Sequence, residues 1–169
     1  LPVQNGLAGV VALTDMGRIY MKRKQWQQAE IVFDSAIARN RSISLTIKNK
    51  EEALACLYRS QLADEQGLPD EALTWLNEAL KEVHLNFVWG KAEDLPADIS
   101  QTVSPITLFN ILHAKAKLLF KKYNRTQQLN YLEASLSAYI KAIETANFIK
   151  LNFDNDEAKL FFNENYRPI

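Results

Sequence analysis

Apolar residues recur at helical spacing along most of the chain, in blocks parted by short polar corners. From Ala8 they fall at Val11, Leu13, Met16, Tyr20 and Met21, a helical stripe closed by the basic run Lys22, Arg23, Lys24. Cations there suit the negative end of a helix. A second helix starts near Trp26 and carries Ala29, Val32, Phe33, Ala36 and Ile37, ending near Asn40. Ser42 to Lys48 is β-branched and Ser-rich, and reads equally as a helix tail or a loop. Asn49 with Glu52 three residues on is a helix start, a capping side chain answered by a carboxylate. That helix runs through Ala53, Cys56, Leu57, Ser60 and Ala63 to Gln66. Gly67 stands where a left-handed terminal residue is wanted, and Pro69 opens the next helix. Ala72, Trp75, Leu76, Ala79, Leu80 and Val83 form the expected buried face of that fourth helix.

The period then lapses. His84 to Pro105 holds Gly90, Pro96 and Pro105 without sustained alternation, and reads as a long connector anchored through Phe87 and Trp89. Loops of that length are uncommon unless they carry function or pack as an ordered cap. Helical spacing returns at Ile106 with Leu108, Ile111, Leu112, Ala116, Leu119 and Phe120, ending at Lys121 and Lys122. Tyr123 to Gln128 reads as a polar loop. Leu129 to about Phe148 is a further helix, with Leu132, Leu136, Tyr139, Ile140, Ala142 and Ile143 expected inward. A last amphipathic segment runs from Asp154 to Asn165. No strand pattern competes, so the fold class is all-α with about seven helices.

Two of these helices carry a packing signature. Small Gly17, Ala29 and Ala36 alternate with large Tyr20, Trp26 and Phe33, which lets two antiparallel helices approach closely. The pairs share one template, and it resembles the tetratricopeptide repeat, a unit of roughly 34 residues. Leu13, Met16, Gly17, Tyr20, Trp26, Ala29, Phe33 and Ala36 fall on its signature positions, with Arg41 where the closing Pro belongs. The second pair matches at Gly67, Ala72, Leu76 and Ala79, while its first helix holds Cys56, Arg59, Ser60 and Ala63. The third matches at Leu112, Ala116 and Leu119, then at Ser135, Tyr139 and Ala142, after an insertion between its helices. The C-terminal half, from LFNILHAKAKLLFKKY through LNYLEASLSAYIKAIE to DNDEAKLFFNENYRPI, resembles the region before the protease-like domain of bacterial CHAT proteins. The chain holds no catalytic His and Cys of such a domain.

The resemblance implies a right-handed solenoid of helical hairpins. Residues 8–83 form two pairs, 84–105 the connector, 106–150 a third, degenerate pair and 151–169 a capping helix. It implies a concave groove lined by the first helices, with Thr14, Arg18 and Met21 in the first pair. Leu57, Gln61 and Asp64 follow in the second, and Asn110, His113, Lys117 and Phe120 in the third. Arg18 and Lys117 are the residues to hold a carboxylate, Arg by a two-pronged fork. The implied function is a non-catalytic scaffold for a peptide or protein, within a larger CHAT-type protein. The other reading is a purely structural array that docks on a downstream domain or on itself.

Composition narrows the alternatives. At 169 residues, 47% of them apolar, the chain is one domain or one array. Its formal net charge is zero, which gives no general attraction to nucleic acid or anionic membrane. The charge is uneven: net +5 over 1–50, −8 over 51–100 and +3 over 101–169. A single cysteine, Cys56, excludes an internal disulfide and suits a reducing, cytoplasmic setting. No run approaches the ~20 apolar residues of a membrane span. The chain begins with Leu, as expected of a processed or excised piece. His84 and His113 lack metal-ligand spacing, and the paired acids read as helix-end charges. No catalytic, cofactor-binding or metal-binding residue is expected.

Overall fold

The computed structural model describes residues 2–43, 48–152 and Leu160. Six α-helices account for most of them: α1 (Pro2–Lys22), α2 (Trp26–Ile43), α3 (Lys50–Glu65), α4 (Pro69–Val83), α5 (Pro105–Thr126) and α6 (Leu129–Asn152). Among the described residues there is no strand, only an isolated bridge between His84 and Thr102. The seventh helix expected over 151–169 lies outside them, except that Leu151 and Asn152 continue α6 and Leu160 is helical. Several boundaries move outward. The first helix starts at Pro2 rather than Ala8, and the expected loop from Tyr123 is helical to Thr126.

The helices form three antiparallel pairs, because each internal corner is only two or three residues long. All three corners solve the reversal alike, with one left-handed residue: Lys24 (φ 57°), Gly67 (φ 78°) and Gln127 (φ 57°). The first two share a hydrogen-bond pattern. Lys24 N–H donates to Met21 C=O and Gln25 N–H to Tyr20 C=O; Gly67 N–H donates to Asp64 C=O and Leu68 N–H to Ala63 C=O. These bonds satisfy helix-end carbonyls that otherwise face only solvent. Asn49 caps α3, its side chain accepting from Glu52 N–H at 3.1 Å, and Ser104 caps α5.

Within the first pair the Phe33 ring lies on Gly17 so closely that a Cβ there has no room. Phe33 joins Ala29 and Leu62 in a small core, edged by Tyr20, Met21, Trp26 and Tyr58. A larger core runs from Val10 in α1 to Ile149 in α6 and draws on every helix. The first helices also touch one another, α1 against α3 and α3 against α5. The second helices α2, α4 and α6 make no comparable contact among themselves. Between the pairs, α2 lies on α3 and α4 on α5.

The connector of 84–104 is an ordered cap. Its two ends are drawn together where Leu85 N–H donates to Gln101 C=O and Val103 N–H to Val83 C=O. Phe87 is buried, and Trp89 and Leu95 pack on the main core. The α6 face departs from expectation. Leu136, Ile140 and Ile143 are 60%, 47% and 57% exposed, not inward. The buried face of α6 is instead Ser135, Ala138, Ala142, Thr145, Ala146 and Ile149. Small side chains let α6 lie close on α5, which leaves the large ones outside.

Candidate functional site

Residues at i, i+3, i+4 and i+7 share one helix face, and on α1 that series reads Val11, Thr14, Asp15, Arg18. Opposite it on α3 stand Lys50, Glu51, Leu54 and Tyr58. Together they line a depression of about 300 Å³. Thr14 is buried, its hydroxyl donating to Val10 C=O at 2.9 Å. Arg18 is exposed and doubly positioned: Asp15 holds one nitrogen at 2.9 Å, and the guanidinium lies 4.8 Å from the centre of the Tyr58 ring. Its head is thus held over the Tyr58 ring at the rim rather than left to wander.

A second depression of about 400 Å³ lies between α3 and α5, lined by Ser60, Gln61, Asp64, Leu76, Ala114, Lys117, Leu118 and Lys121. Lys121 crosses its mouth to Asp64 at 2.6 Å. Lys117 and Gln61 are exposed on its walls. Thr14 and Arg18 thus line the depression between α1 and α3, and Gln61 and Lys117 the one between α3 and α5. The groups offered there are the cations Arg18, Lys50, Lys117 and Lys121, the carboxylates Asp15, Glu51 and Asp64, the Gln61 amide and an apolar wall.

The other expected groove residues lie elsewhere. Leu57 is 3% exposed and belongs to the main core. Met21 is half-buried against the Phe33 cluster. Asn110 and His113 line neither depression. His113 stacks on Phe109 at 5.8 Å and leans on Tyr139 of α6 at 6.0 Å. Burial, helped by the charge of Lys117, holds its basicity below the ordinary imidazole range. Phe120 is exposed beside Tyr123.

The most heavily engaged polar residues were not among those expected. Arg59, 4% exposed, bonds Glu30 and Asp34 of α2 and Glu71 of α4, with Trp75 beneath it at 5.4 Å. Its Nη1 has no hydrogen-bond partner. Lys115 is fully buried, donating to Asn77 Oδ1 and to Asp94 C=O. Asn77 in turn donates to the carbonyls of Lys91 and Ala92, so the pair pins the connector to α4 and α5. The available signal was the repeat itself, since Arg59 and Lys115 each stand one residue before the small residue of their first helix, Ser60 or Ala116.

Cys56 is fully buried, and burial with the nearby Glu52 charge pushes its thiol well above the usual range, which leaves little thiolate. Among the described residues no three His, Cys, Asp or Glu side chains are grouped to hold a metal ion. Nor is any described helix long and apolar enough to cross a membrane. No protein-family model matches the chain, and no match was found among curated proteins or solved structures.

Proposed function

We propose that this chain is a non-catalytic protein-interaction scaffold, a right-handed tetratricopeptide-like solenoid that holds a peptide or protein along the α1–α3–α5 surface. The observation that carries the reading is the convergence of Thr14, Arg18, Gln61 and Lys117 on two depressions flanking α3. Three antiparallel pairs whose first helices pack on one another more than the second helices do support the solenoid, since stacked pairs bury what a single pair cannot. Arg18 rims one depression and Lys117 the other, which suits an extended ligand carrying carboxylates at two points. The sequence blocks of the C-terminal half support a place in a larger bacterial CHAT-type protein, acting in the cytoplasm with no membrane or nucleic-acid partner. Titration calorimetry with an extended peptide bearing a free C-terminal carboxylate tests the groove. Arg18→Ala and Lys117→Ala should each weaken binding roughly tenfold, the worth of one charged hydrogen bond. Unchanged affinity in both variants would sink the placement.

A further inference from the structure

One kind of junction recurs between the helix pairs. The second helix of one pair lies on the first helix of the next, α2 on α3 and α4 on α5. Aligning the first helices on Gly17, Ser60 and Ala116 puts Met16, Arg59 and Lys115 at one position. Aligning the second helices on Ala29, Ala72 and Ser135 puts Asp34, Asn77 and Ile140 at another. At both internal junctions these two positions meet. Arg59 Nε is 3.2 Å from Asp34 Oδ1, and Lys115 Nζ is 2.5 Å from Asn77 Oδ1. The members left over are Met16 and Ile140, 44% and 47% exposed at opposite ends of the stack. Each lies in an apolar patch: Ile19, beside Met16, is 49% exposed, and Leu136 and Ile143, flanking Ile140, are 60% and 57% exposed. Internal junctions set a cation on an acid or amide; the two open ends offer apolar surface to apolar surface.

We infer that the exposed face of α6 is covered by α1 of a second copy of this chain, in the geometry of the internal junctions. Ile140 then meets Met16 of the neighbour, with Leu136 and Ile143 closing around Ile19. Charge agrees with this pairing. At such a junction the start of α6 lies beside the end of α1, which sets exposed Glu133 against the exposed run Lys22, Arg23, Lys24. Two-fold antiparallel pairing of α6 with itself instead puts the Glu133 and Glu144 edge of one helix against the same edge of the other. An α6-on-α1 contact is heterologous, so it adds copy to copy, in open chains or rings, rather than building a two-fold dimer. A single helix-on-helix junction is smaller than a standard interface of ~800 Å² per partner, so assembly depends on concentration.

Sedimentation velocity on the full chain over a wide concentration range tests this. Its weight-average mass should climb with concentration past that of a dimer. Ile140→Glu and Met16→Glu should each stay monomeric, with circular dichroism showing that both remain helical. An equimolar mixture of the two variants should form heterodimers and stop there, because each variant keeps the face the other has lost. A wild-type chain that is monomeric at every concentration overturns the inference. So does a dimer broken by Ile140→Glu but untouched by Met16→Glu, or a mixture that stays monomeric. Neither variant touches Arg18 or Lys117, so the outcome is independent of groove binding.

Discussion

Lys115 carries an amine where solvent does not reach it, and its two acceptors are both uncharged. Burial pulls its pKa from 10.5 down to about 7, against the opposing charges of Asp94 and Glu93. The unfolded chain keeps that proton until about pH 10. Between about pH 7 and that point the unfolded state therefore binds more protons, and stability rises with pH. We expect a gain on the order of 2 kcal/mol between about pH 7 and about pH 8.5, a window chosen below most ionisation of an unfolded cysteine. Lys115→Met should lose the rise. Urea unfolding at both pH values checks this, and an equal rise in the two proteins would rule Lys115 out as its source. That Lys115 is buried was illegible in the sequence, where Lys-Ala-Lys on an amphipathic helix reads as a solvated face. Only the packing of the connector over α5 supplies the carbonyl of Asp94 that makes burial tolerable.

At the scale of elements, Arg59 ties three helices together. It bonds two carboxylates on α2 and one on α4 from its place on α3. Its fork reaches acceptors in several directions, while the ring of Trp75 covers one face of the guanidinium. Arg59→Ala leaves three half-exposed acids gathered without their cation, and should cost on the order of 1–2 kcal/mol. Arg59→Lys keeps the charge but not the fork or the stacking, and should recover less than half of that. Chemical denaturation of the three proteins decides; full recovery by Lys would reduce the role of Arg59 to bulk charge. The helix starts at Asn49 and Pro69 and the left-handed corner at Gly67 were legible, since each rests on local backbone chemistry. The corners near Lys24 and Gln127 were legible too, but not their left-handed residues, because neither residue type advertises that conformation.

At the scale of the whole molecule, one core joins Val10 to Ile149 through every helix, and the connector closes over it. Helix pairs that share buried side chains across each junction have little independence. We therefore expect a single unfolding transition, with far-ultraviolet and near-ultraviolet circular dichroism coincident in denaturant. A third pair that melts separately, seen as a near-ultraviolet change without matching helix loss, would show that the connector decouples it. Of the residues that the register count placed on the first helices' open side, Thr14, Arg18, Gln61, Asp64 and Lys117 line the depressions beside α3, whereas Leu57 is buried in the core. A register count assigns a helix face. It does not say how far a neighbouring helix leans over that face.

By itself the sequence determined that the chain is helical, where most helices begin, and which small and large residues interlock in the first pair. Those features depend on spacing and local backbone chemistry, which are written within a few residues of each position. Tertiary structure alone decided which polar groups were buried as Arg59 and Lys115 are, and which apolar ones were left out as Leu136, Ile140 and Ile143 are. Each of those outcomes depends on what a distant segment brings. Asp34 and Asn77 supply acceptors at the internal junctions, whereas the small inner face of α6 draws it close to α5 and turns its large side chains outward.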